Sequence, residues 1–155
     1  MLSFVEWLEN TRVALAMRHS ILLFAVFDTI HQLGMMVLLG TIVIVSLRLL
    51  GLVMPRRPVP EIAGQLSRWT VAGLVTNLAT GPFLVVPESV RWYHSEPFQL
   101  KMTILLAAII FHFTLYRKVT HSEDAGPLLR GFTGALALIL WFGVGWMGRI
   151  ITVFG

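Results

Sequence analysis

The 155-residue chain contains no cysteine. That excludes disulfides, thiolate metal centres, iron–sulfur clusters and covalent haem attachment through C-x-x-C-H. Any metal or haem must therefore be held by His, Met, Asp, Glu or Lys. Charge is scarce as well: only 13% of residues are charged, against about 25% in a soluble domain. Nucleophile motifs, phosphate-cradling loops and paired catalytic carboxylates are missing, and there is no internal repeat or separate polar domain. Residues 1–20 lack the continuous apolar core and small-residue cleavage site of a signal peptide, so none is expected. The net charge of +4 does not point to nucleic acid, because the basic residues sit in loops beside apolar runs.

What the chain does have is apolar length. Hydrophobic residues make up 56% of it, and the mean hydropathy is +0.79. Four runs, approximately 20–50, 69–87, 97–116 and 131–153, approach the roughly 20 residues that a membrane-spanning helix needs. The expectation is an all-α integral membrane protein, a four-transmembrane-helix bundle forming a single membrane domain over 1–155. Ser3 with Glu6 has the spacing of a capping box, and Phe4, Trp7 and Leu8 share a face; this predicts a short N-terminal interfacial helix. Between the first two runs, Met54–Pro60 carries three prolines in six residues, which forbids helix and makes a stiff connector. Pro60, with Glu61 behind it, suits the first turn of a helix leading into the second span.

Basic residues orient the bundle. Arg48, Arg56, Arg57, Arg68, Arg117, Lys118 and Arg130 fall at one end, and Arg12, Arg18, Arg91, Lys101 and Arg149 at the other. The richer end is expected in the cytoplasm of a bacterial inner membrane, with both termini periplasmic.

Two histidines interrupt the apolar runs, His31 in the first and His112 in the third. An ionisable side chain at bilayer depth costs on the order of 2.5–3.5 kcal/mol on insertion scales, so it marks a partner or a ligand. Asp28 lies three residues before His31 and shares its face, and Met35 follows one turn on. A carboxylate beside a metal-bound imidazole orients it and raises its basicity; alternatively, the pair simply hydrogen-bonds to Thr or Asn on another helix. His112 lies about 16 Å along its helix from Lys101, and His31 lies at a similar depth from Ser20. The first and third spans can also be diagonal across a bundle, where cofactors sit. These features point to non-covalent haem b with His31 and His112 as axial ligands; a depth mismatch would leave His31 alone or with Met35 or Lys101. Gly73, Asn77 and Gly81 line one face of the second span, either as a shelf for a porphyrin edge or as a small-residue packing groove. Arg18, Arg91, Lys101 and Arg149 at the outer end, and Arg48 at the inner end, are candidates for the propionates, or ordinary snorkelling anchors. Copper is the alternative cofactor, through His19, His94 and Met17 with Met35 and His31.

Trp7-Leu8-Glu9-Asn10-Thr11, Thr29-Ile30-His31-Gln32-Leu33-Gly34, Leu47-Arg48-Leu49-Leu50-Gly51 and Phe98-Gln99-Leu100-Lys101 resemble an uncharacterised bacterial family of four-helix inner-membrane proteins, over nearly the full length. More remotely, His31 with Arg48, and Lys101 followed eleven residues later by His112, resemble the copper-resistance D proteins and the HemJ-type protoporphyrinogen oxidases. That resemblance implies haem binding by the bundle; Asp28 and the proline-rich connector depart from the HemJ pattern. The expected function is therefore that of a b-type cytochrome, passing electrons between the quinone pool and an outer partner or serving as a subunit of a redox complex. The alternatives are copper handling and a non-catalytic membrane anchor in a larger complex.

Overall fold

A computed structural model describes residues 2–154, all its regular elements being helical. Two short helices, α1 (Leu2–Glu9) and α2 (Arg12–His19), precede α3 (Ile21–Leu49). α4 (Val59–Val85) runs through a 3₁₀ turn into α5 (Ser89–His94), followed by α6 (Glu96–Phe111). A π-helical turn, His112–Tyr116, joins α6 to α7 (Arg117–Thr120), and α8 (Pro127–Phe154) closes the chain. Four helical segments, Ile21–Leu49, Val59–His94, Glu96–Thr120 and Pro127–Ile151, are long and apolar enough to cross a membrane. The chain is an all-α multi-pass bundle.

Local chemistry explains the boundaries. The Ser20 hydroxyl accepts from the Leu23 amide and caps α3. Pro60 occupies the first turn of α4 with Glu61 behind it, as the sequence leads one to expect, so α4 begins at Val59 rather than near residue 69. The N-terminal segment differs from expectation. It forms two helices rather than one, because Thr11 caps the second by accepting from Ala14, and Ser3 lies inside α1 rather than capping it. These two helices fold back over the end of α4: Arg18 pairs with Glu9 and donates to the Pro87 carbonyl, and Ser89 donates to the Val5 carbonyl.

Packing is uneven. α3 packs along α4 and α8, and α6 packs on α8. Among the described residues α4 and α6 do not pack together along their lengths, whereas α7 does meet α4. A slit therefore separates α4 from α6. Lipid tails supply no hydrophobic drive to close helices together, so close packing depends on small residues. They are concentrated where α3 meets α4. A Cβ on Gly73 would stand 2.8 Å from the Gly34 carbonyl oxygen, and one on Gly34 would stand 2.8 Å from Asn77 Nδ2. The core is formed by Leu38, Ile42, Val45, Leu74, Ala137, Trp141 and Val144 on the facing sides of α3, α4 and α8.

Candidate functional site: an intramembrane cavity at His31

Above the core, the unpacked slit widens into a cavity of about 360 Å³, at the lower end of the roughly 300–1,000 Å³ typical of small-molecule sites. α3 contributes His31, Met35 and Leu38; α4 contributes Asn77, Gly81 and Pro82; α6 contributes Phe98 and Lys101; α8 contributes Trp141 and Val144. Leu78 and Met102 line it from opposite sides and are also about half exposed, 48% and 46%. They mark where it opens onto the outer surface of the bundle. Pro82 has no N–H to offer the Leu78 carbonyl, so the α4 hydrogen-bond ladder is interrupted at this mouth.

The protonation of His31 follows from a proton count. The Thr80 hydroxyl carries one hydrogen and donates it to the Thr76 carbonyl at 2.7 Å. With that bond kept, it accepts from His31 Nδ1, 2.8 Å away, and a neutral ring then carries its lone pair on Nε2. Among the described residues no group bonds Nε2. Gly81 leaves room beside the ring, since a Cβ there would reach no closer than 3.7 Å to His31 Cε1.

Two further polar groups adjoin the cavity. The Lys101 side chain lies against α8, where a Cβ on Gly148 would come within 3.4 Å of Nζ, and no described carboxylate pairs with it. Asn77 donates to the Gly73 carbonyl at 2.9 Å, leaving its Oδ1 buried without a partner. The remaining wall is apolar.

The structure thus brings together His31, Asn77, Gly81 and Lys101, with Met35 one turn from His31. It leaves the other candidates elsewhere. His112 does not line the cavity: its ring stacks on Tyr116 at 5.0 Å and meets Trp141 edge-on at 6.1 Å. Gly73 is a packing residue against the α3 backbone, not a shelf. Arg48 donates to the carbonyls of Arg57 and Pro55 and clasps the connector. Asp28 is half-buried and does not line the cavity. Met17 is buried while His19 and His94 are exposed, and no cluster of three or more His, Asp or Glu among the described residues could hold a bare metal ion.

Residues 4–154 match a family described as of unknown function, DUF6644. The chain belongs to that family. No curated protein and no solved structure matches it. For this DUF6644 chain the chemistry of the site has to be read from its own residues. Two of those residues were undervalued by sequence reasoning. Thr80 is visible there only as a threonine near Asn77, and Trp141 only as a neighbour of small residues; their roles arise from contacts across helices.

Proposed function

We propose that this is a b-type haem-binding membrane protein of the bacterial inner membrane, with both termini periplasmic. The observation that carries the reading is the 2.8 Å contact between His31 Nδ1 and the Thr80 hydroxyl, with Nε2 unbonded among the described residues. Metal-bound imidazoles characteristically donate their second ring N–H to a neighbouring acceptor, which fixes the ring and raises its basicity. Thr80 is that acceptor, and the free Nε2 lone pair is what an iron would take. Lys101 offers a positive charge to a propionate, and Met35 lies on the same wall as His31. The apolar lining and outward opening suit a cofactor whose body is hydrophobic. A haem held here supplies one-electron transfer, at a potential set by its axial ligands and burial. Transfer between the quinone pool and an outer-side redox partner, or within a larger complex, is the role this supports. Copper is the alternative cofactor; of its candidate ligands Met17 is buried, while His19 and His94 are exposed.

A second reading takes its support from the mouth between Leu78 and Met102. An isoprenoid quinone could enter from the bilayer and meet Lys101 as donor and His31 as acceptor, without iron. One measurement separates the two. Protein purified from haem-replete cells should show a Soret band and a dithionite-reduced α-band, absent from His31→Ala and retained in His112→Phe. A colourless preparation that also fails to take up added haem rejects the cytochrome reading; lipid extraction that then yields bound quinone supports the second.

A further inference from the structure

A second cavity, of about 290 Å³, lies where α2 folds back over the end of α4. Neither reading of the His31 site uses it. Its wall has two halves of different chemistry. Arg18 at the end of α2, Glu88 in the 3₁₀ turn and Trp92 in α5 form the polar half. Ile21 and Phe24, one turn apart on α3, form the apolar half with Leu84 of α4. Ile21 and Phe24 are also 89% and 42% exposed, so this half opens onto the outside of the bundle. One turn further along α3, the Phe27 ring meets that of Phe83 at 4.5 Å and ties the two helices together. The row from Ile21 to Phe27 runs about 9 Å down the start of a membrane-spanning helix.

The polar half has hydrogen-bonding capacity that the chain leaves unused. Arg18 pairs with Glu9 and donates to the Pro87 carbonyl, and both bonds leave from Nη2. A guanidinium carries five N–H groups, so those on Nη1 and Nε stay without a partner among the described residues. Trp92 Nε1 is shielded from solvent and has no partner there either. Its ring is held in place, with the Arg91 guanidinium over it at 5.2 Å and Phe98 at 6.0 Å. Arg91 also donates to Glu88 Oε2 at 2.8 Å, leaving Oε1 unbonded among the described residues. Unused donors from Arg18 and Trp92 call for an anionic oxygen acceptor. The free carboxylate oxygen of Glu88 calls for a donor. Glu9 with Arg18, and Glu88 with Arg91, cancel in charge, so this site matches a ligand bearing both signs. The basic end of the bundle, by contrast, suits anionic lipid.

We propose that the cavity binds one phospholipid whose headgroup is zwitterionic and ends in a free ammonium. The phosphate accepts from Arg18 and from Trp92 Nε1, the ammonium donates to Glu88, and an acyl chain lies over Ile21, Phe24 and Leu84. A soluble phosphate ester would leave that apolar half uncovered. The bound lipid staples α2 and α5 to the start of α3, and it does so whatever fills the His31 cavity.

Native mass spectrometry of the full chain tests this. The delipidated protein in detergent is titrated with palmitoyl-oleoyl phosphatidylethanolamine, and separately with the phosphatidylglycerol of the same chains. One phosphatidylethanolamine per chain should be retained. Its affinity should fall at least about tenfold in Trp92→Phe, which keeps a ring and removes the N–H, and in Arg18→Gln. Phosphatidylglycerol binding should not change in either variant. Arg18 also holds the N-terminal helices, so Trp92→Phe decides the matter if Arg18→Gln loses helix content by circular dichroism. Unchanged phosphatidylethanolamine affinity in Trp92→Phe overturns the proposal. So does an equal loss of phosphatidylglycerol, or displacement of the lipid by an equal concentration of tail-less glycerophosphoethanolamine.

Discussion

His31 and His112 are the same residue in two apolar spans, yet their surroundings differ in kind. His31 has one ring nitrogen tied to Thr80 and the other unbonded at a cavity. His112 contacts the Tyr116 and Trp141 rings, and its Nδ1 is buried with no hydrogen-bond partner among the described residues. The difference comes from neighbouring helices, not from depth. α3 meets α4 closely enough to bring a hydroxyl to the imidazole, whereas the π-helical turn and α8 bring aromatic rings to His112. An intramembrane histidine is open to a ligand where its partners leave one ring nitrogen unbonded at a cavity, and is part of the packing where they do not.

The comparison can be attacked from its strongest point. Thr80→Val removes the hydroxyl that is hydrogen-bonded to His31 Nδ1 and frees the ring to change tautomer. Loss of such an outer partner typically lowers metal-site affinity by roughly 10–100-fold, so haem titration of this variant should show that loss while His112→Phe does not. Lys101→Met tests the charge at the cavity wall. The expected drop is about tenfold in haem affinity, equivalent to about 1.4 kcal/mol, with no loss of the Soret band at saturating haem. Gly81→Ala is the mildest change. Its Cβ makes ordinary contact with the imidazole, so thermal unfolding in detergent should move by less than about 0.5 kcal/mol in stability. A large destabilisation there would mean that the ring is packed rather than free.

Much of this was legible in the sequence. The spans follow from apolar length, and Pro60 marks where α4 starts. His31 stands out because a titratable group at that depth needs a reason. Its relation to Thr80 was not legible, since it joins residues 49 apart and depends on how two helices rotate against each other. The same applies to His112: its separation from Lys101 gives depth along the helix, but the face it turns to Trp141 is set by the π-helical turn, which has no local sequence signal. The division of the N-terminal segment at Thr11 was readable in principle, but the Ser3–Glu6 spacing competes with it.

The unclosed slit between α4 and α6 has a practical consequence. A bilayer offers an acyl chain to any apolar opening on its flank, and that chain is as apolar as leucine. Any guest must therefore evict lipid, and its measured affinity is an exchange constant. In micelles the competitor becomes the detergent tail. Binding constants for this cavity will be comparable only when the detergent, its chain length and its concentration are the same.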